Sequence, residues 1–146
     1  MIEHRETRIV PYTAELMYRV VSDVERYPEF LPWVVALRVL SRDDNGLLAE
    51  MAVGYNALRE RYTSRVTLDP QGRRIDVVQT KGPFKTLENH WRFTPKNEGC
   101  EIEFSILFEF RSRMLEKVTG GAFEKVMLRM ADAFVARAEA LSRQAG

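Results

Sequence analysis

Cys100-Glu101-Ile102-Glu103-Phe104-Ser105-Ile106-Leu107-Phe108-Glu109-Phe110 alternates apolar and polar side chains, with only Leu107 out of phase. A period of two sustained this long means a strand with one buried face and one wet face. Directly after it the period changes. Met114, Leu115, Val118, Ala122, Phe123, Val126, Met127, Met130, Phe134, Val135, Ala138 and Leu141 recur at helical spacing, with charged residues mostly off that stripe. The pattern predicts a helix over Arg113–Arg143, about 45 Å long at 1.5 Å per residue. Gly120-Gly121 interrupts the stripe, and is expected to mark either a helix start near Ala122 or a close packing contact, ahead of a hinge. A half-buried sheet needs a cover, and this helix is the only large candidate.

Upstream of that strand the period of two runs back to Val34. Strands are expected at about Val34–Arg42, Leu47–Tyr55, Leu58–Leu68, Arg74–Thr80 and Phe84–Phe93. Asp43-Asp44-Asn45-Gly46 carries an Asn-Gly hairpin signal, Asp69-Pro70-Gln71-Gly72 turns the chain again, and a tight turn precedes Leu58. Before them, Ile2–Val10 reads as a first strand. Thr13 can cap a short helix carrying Leu16, Met17, Val20 and Val21. Ser22-Asp23-Val24-Glu25 matches a capping box for a second short helix, which Pro28 and Pro32 should cut off. The expected class is therefore α+β: about seven antiparallel strands, two short helices after the first strand, and a long C-terminal cover helix. A curved sheet gripping one helix leaves a cavity wherever side chains do not fill the space.

With 146 residues, positions 1–146 suit one domain with a true core. Cys100 stands alone and the first residues are charged, so a reducing, cytoplasmic-type compartment is expected, without signal or transit peptide. The longest apolar runs fall well short of the ~20 residues that span a bilayer, leaving peripheral contact with an inner membrane as the only membrane option. A net charge of +1 gives no general bias toward nucleic acid, and DNA is not an expected partner.

Tyr27-Pro28-Glu29-Phe30-Leu31-Pro32-Trp33 is stiff and apolar, and needs a cover of its own. Together with Gly82-Pro83-Phe84-Lys85-Thr86-Leu87, Trp91-Arg92-Phe93 and Leu58-Arg59-Glu60-Arg61-Tyr62, it resembles the coenzyme Q-binding proteins of the START-like (polyketide cyclase) superfamily. Bacterial members are also described as ribosome-association toxins of the RatA type. The resemblance covers essentially the whole chain. It implies a helix-grip fold, a hydrophobic tunnel, ubiquinone as bound ligand with no required cofactor, and a carrier or chaperone role in respiratory electron transport. The alternative it implies is a toxin acting on the large ribosomal subunit through the outer surface. A cyclase-like or dehydrase-like enzyme is a third reading.

Two readings of the apolar run stay open: a plug sealing the core, or a tunnel wall where Tyr27, Phe30, Leu31 and Trp33 meet a lipid tail. The inward sheet face supplies Tyr55, Tyr62, Phe84, Trp91, Phe104 and Phe108, and the helix supplies Val126, Met127, Met130 and Phe134; these are the further ligand-binding candidates. Adaptable Met side chains suit an irregular ligand. Glu60, Ser64, Gln79 and Asn89 share the apolar phase of their strands, so they should point inward. Gln79 and Asn89, as neutral amides, are the expected hooks for quinone oxygens; Glu60 would rather stay protonated. Arg59, Arg61 and Arg65 form a basic ladder on the opposite face, either paired with acids such as Glu50 or touching phosphate. No spacing signals a catalytic triad or a metal site: His4 and His90 are isolated, and Cys100 sits in an apolar phase.

Overall fold

The structure is a computed structural model that describes residues 1–55 and 58–145. The tight turn expected before Leu58 falls at residues 56–57, outside the described residues. Seven strands follow the expected order: β1 (Ile2–Val10), β2 (Val34–Asp43), β3 (Gly46–Tyr55), β4 (Leu58–Asp69), β5 (Arg74–Lys81), β6 (Phe84–Lys96) and β7 (Gly99–Phe110). All pair antiparallel in the order β1-β7-β6-β5-β4-β3-β2. A meander from β2 to β7 thus takes β1 back onto its far edge. Helix α3 (Arg113–Ala145) lies across the curved sheet, which makes this a helix-grip fold of the α+β class.

Helix α1 (Ala14–Ser22) starts as the sequence dictates. The Thr13 side chain accepts from the Leu16 amide at 3.0 Å, and Ala14, Met17, Val20 and Val21 face the core. The next segment differs from expectation. The Ser22 hydroxyl donates to the Arg19 carbonyl instead of building a capping box, and the chain makes a single 3-10 turn over Val24–Arg26. Pro28 then sits in the first turn of a four-residue helix, α2 (Tyr27–Phe30), where its missing N–H has no partner to lose. So Pro28 begins a helix where it was expected to end one, and Pro32 follows the end.

The first hairpin also departs from the Asn-Gly rule. Asp44 and Asn45 form the loop between the closing pair Asp43 and Gly46, and neither has positive φ, so this is not the type I′ turn that Asn-Gly usually marks. Gly46 opens β3 at φ +152, and a Cβ there would lie 1.9 Å from the Val66 carbonyl oxygen. Further on, α3 runs unbroken through Gly120-Gly121, so the helix does not start near Ala122. A Cβ on Gly121 would touch nothing within 4 Å, while one on buried Gly120 would meet the Glu116 side chain at 3.4 Å and the Phe110 ring at 3.8 Å, so packing bears on Gly120 and not on Gly121. In the first turns of α3, Met114 and Val118 are 75% and 60% exposed, outside the buried stripe that Phe123, Val126, Met127, Ala131, Phe134 and Ala138 make.

The core is continuous from α1 across the sheet to α3. One half of it is aromatic and densely filled. Phe84 lies 4.8 Å from Phe110 and 4.7 Å from Phe123 by ring centroid, and Phe108 lies 4.8 Å from Phe123. Cys100 is buried at the β1–β7 edge, and its surroundings push the thiol up to about 11.

Candidate functional site

Beside that aromatic half, the concave sheet and α3 do not close completely. A cavity of about 70 Å³ remains. β3 contributes Ala49, Met51 and Val53; β4 gives Tyr62, Ser64 and Val66; β5 and β6 give Val77, Leu87 and Asn89; β7 gives Ile106. Phe123, Val126, Met127, Met130 and Phe134 close it from α3, and Val24, Tyr27, Leu31, Trp33 and Val34 form its end wall. The lining is almost wholly apolar. Its titratable groups are two phenols, and burial holds both neutral: Tyr62 is pushed up to about 12 and Tyr27 higher still.

The end wall is the Tyr27–Trp33 run. Leu31 and Trp33 are buried, while Tyr27 and Phe30 are half-buried and meet Phe134 edge to face in a triangle of rings 5.1 to 6.0 Å apart. The Tyr27 hydroxyl donates to the Val21 carbonyl, which fixes its ring against the cavity. Phe30 faces outward from this triangle, beneath the Arg137 guanidinium at 5.1 Å. Arg137 also bonds Glu29 at 3.0 Å, so α2 is tied to α3 both by rings and by charge. On the other side of the cavity, Arg129 of α3 donates to the Tyr55 hydroxyl at 3.0 Å and lies over its ring. Tyr55, a ligand candidate from the sequence, is not part of the cavity lining; its contact joins the end of β3 to α3.

The ligand candidates from the sequence divide into two groups. Tyr27, Leu31, Trp33, Tyr62, Asn89, Val126, Met127, Met130 and Phe134 line the cavity. Phe84, Trp91, Phe104 and Phe108 point inward as their parity requires, but they fill the neighbouring core: Trp91 is 4.6 Å from Phe104 and 5.1 Å from Phe134 by centroid. Gln79 is spent elsewhere. Its amide donates to the Phe84 carbonyl at 2.7 Å and accepts from the Phe84 amide, bracing the Gly82-Pro83 turn. Lining residues that were not picked out include Val24, Ala49, Met51 and Phe123. Ala49 and Met51 sit opposite Ser64 and Tyr62 in the β3–β4 register, so hairpin pairing carries the signal that would find them.

The inward polar residues each have a different fate. Asn89 donates to the Ser105 carbonyl and accepts from the Trp91 indole N–H, both at 2.9 Å, leaving one amide hydrogen unused. The Ser64 hydroxyl is buried on the cavity wall and has no hydrogen-bond partner among the described residues. Leaving such a group unpaired costs about 1–3 kcal/mol. Glu60 is half-buried outside the cavity, and burial raises its carboxyl above the usual carboxylate value. A raised folded value means that the stability tied to this group is complete below the ordinary carboxylate pKa and declines as pH rises from there through the folded one. Glu60→Gln is accordingly expected to match the parent in melting temperature near about pH 4 and exceed it near about pH 7, with thermal scans at both pH values as the check.

On the convex face the basic ladder is largely paired. Arg61 bonds Glu50 at 3.2 Å, Arg65 bonds Asp43 at 2.8 Å and holds its carboxyl below the usual range, and Arg59 donates to the Leu58 carbonyl. Two other arginines on that face, Arg74 and Arg92, sit directly opposite one another in register on β5 and β6. Among the described residues neither is engaged in an ion pair of the kind that ties neighbouring Arg73 to Glu15. His90, on the same face, lies 2.6 Å from Asp76 and 3.3 Å from Glu88. Among the described residues no group of three His, Cys, Asp or Glu side chains is arranged to hold a metal ion. No helix among them is long and apolar enough to cross a membrane.

Residues 10–135 match the family described as polyketide cyclase / dehydrase and lipid transport. The chain belongs to that family. It is 35% identical over 142 residues to the ribosome association toxin RatA of Rickettsia prowazekii, covering 95% of this chain and 97% of that one. It is 33% identical over 137 residues to the mitochondrial coenzyme Q-binding protein COQ10 homolog B of Xenopus laevis, covering 91% of this chain and 56% of that one. Among solved structures, the 18 kDa protein CC1736 of Caulobacter crescentus superimposes with a TM-score of 0.77 at 36% identity, covering 97% and 99% of the two chains.

Proposed function

We propose that this chain binds a polyprenyl quinone, ubiquinone in the first instance, between the concave sheet and α3, and acts as its carrier or chaperone in respiratory electron transport. The observation that carries the reading is the cavity itself: an apolar space walled by Met127, Met130 and Met51, with few polar atoms. The name of the Xenopus relative points the same way. As it stands, the cavity has room for several waters at about 10–15 Å³ each, well below the roughly 300–1,000 Å³ of pockets that enclose drug-sized ligands. A prenyl tail therefore requires α3 to lift, with the Arg129–Tyr55 and Arg137–Glu29 contacts as the points that part. Purified protein incubated with quinone-loaded vesicles is expected to carry quinone away in an organic extract. Protein that carries none, either as isolated or after vesicle exposure, overturns the reading.

A second reading, ribosome association, draws on the RatA-named relatives and on Arg74 and Arg92. Like charges directly opposite in a sheet destabilise it, and a phosphate bridging them would relieve the repulsion. This reading expects co-sedimentation with the large ribosomal subunit that is lost at high salt and in Arg74→Glu/Arg92→Glu. It uses the convex face and the first uses the concave one, so one protein can satisfy both. Catalysis of the cyclase type would need an acid or base in the cavity, where the titratable groups are phenols held neutral.

A further inference from the structure

Ser64 is 6% exposed, lines an apolar cavity, and has no hydrogen-bond partner among the described residues. Its cross-strand neighbours cannot supply one: Ala49 has no polar side-chain atom, and the Gln79 amide is consumed by the Phe84 backbone. A hydroxyl left unmet on a cavity wall is a donor and acceptor held ready for something that enters the cavity. Asn89, 9% exposed on the same wall, keeps one amide hydrogen free while its other groups are fixed by Ser105 and Trp91. Those two bonds prevent it from turning away.

The register fixes how far apart the two groups stand. Asn89 is opposite Val77, Val77 is opposite Val66, and Ser64 lies two residues along from Val66. Two strand spacings across and two residues along place the α-carbons about 12 Å apart. Side chains that stand perpendicular to one sheet face keep their donor atoms at about the α-carbon spacing, so two hydrogen bonds of about 2.8 Å each leave about 6 Å between the bonded atoms. That is the width of a six-membered ring with an oxygen at each end. We propose that Ser64 and Asn89 are the two-point head-group site of the cavity, taking a ring that carries carbonyl oxygens at opposite positions, one accepting from the Ser64 hydroxyl and the other from the free Asn89 N–H. The inference rests on the quinone reading and deepens it by assigning the residues that tell a quinone ring from bare hydrocarbon.

The test compares a short-chain ubiquinone with a prenylated benzene of equal tail length, which has no ring oxygens, using the wild type and Ser64→Ala. The wild type is expected to bind the quinone about tenfold more tightly than the benzene. Ser64→Ala should lose roughly five- to tenfold for the quinone and nothing for the benzene, the range of one neutral hydrogen bond. Without ligand the same variant should melt at or slightly above the wild-type temperature, because it removes an unmet polar group. Ser64→Cys, which keeps a weak donor, should fall between. Equal quinone affinity in wild type and Ser64→Ala overturns the inference and leaves quinone binding standing. So does a Ser64→Ala loss that is the same for both ligands, since that reports a change of shape alone. Uptake of neither ligand by the wild type overturns the quinone reading and this site with it.

Discussion

Gly46→Ala is expected to cost at least about 3 kcal/mol and to leave much of the protein unfolded at moderate temperature. Two independent penalties meet at this position. At φ +152 an L side chain is strained whatever space surrounds it. Beyond that, the added Cβ would stand 1.9 Å from the Val66 carbonyl oxygen, and that oxygen belongs to backbone in the middle of a paired sheet. No rotamer change can relieve the clash. The two strands must separate locally, which disturbs Leu47 and Val66 of the core and the bond from the Leu68 amide to the Asn45 carbonyl. Gly99 repeats the arrangement at the start of β7, where a Cβ would lie 1.9 Å from the Val10 carbonyl oxygen at φ +154. Gly121→Ala is the control. It lies within α3 with open space around it, so the same chemical change should stabilise by roughly 0.5–1 kcal/mol. Urea denaturation of Gly46→Ala, Gly99→Ala and Gly121→Ala provides the ranking. A Gly46→Ala midpoint close to wild type would mean that the β3–β4 backbone is much more pliant than its pairing implies.

The contrast among these glycines shows what a sequence exposes and what it hides. The alternation of Cys100–Phe110 and the helical stripe after it specify a half-covered sheet and its cover, because both periods arise from backbone geometry that every residue shares. The same logic put Ser64 and Asn89 on the inner face, where they are. It could not say that Gln79, of the same parity, would spend its amide on a turn five residues away, since that depends on local loop geometry. Nor could it separate Phe84, Phe104 and Phe108, which pack into solid core, from Phe134 and Tyr62, which border a cavity. Inward-facing aromatics look alike until the curvature of the sheet decides where α3 touches down. Val24 left no periodic trace because it sits in a single 3-10 turn. Pro28 misled for a related reason: proline is forbidden inside a helix and favoured in its first turn, and four-residue α2 is little more than a first turn.

Phe134→Ala is the second large effect, expected to destabilise by about 3–5 kcal/mol, or a fall in melting temperature of roughly 10–20 °C. Phe134 is 2% exposed, and its ring lies within 5.1 to 5.4 Å of Tyr27, Phe30 and Trp91 by centroid. It is thus the point where the cover helix, the apolar end wall and the sheet meet, and truncation leaves a void touching all three. The ion pair beside it makes a useful comparison. Arg137 reaches the same end wall through exposed Glu29 and the Phe30 face and is itself half-buried, so Arg137→Ala should cost about 1–2 kcal/mol, well short of Phe134→Ala. The two variants also part company when ligand is present. The void left by Phe134→Ala joins the existing cavity, so the enlarged space should take a prenylated ring with less movement of α3. A ligand that binds only the folded state raises stability in proportion to ln(1 + [L]/Kd), about 2.7 kcal/mol at a hundredfold excess over Kd. Short-chain ubiquinone should therefore restore most of the stability that Phe134→Ala loses, and raise Arg137→Ala and the wild type by similar, smaller amounts. Thermal scans with and without the quinone measure this directly. Should quinone fail to raise Phe134→Ala more than Arg137→Ala, the cavity beside Phe134 is not where the ring binds.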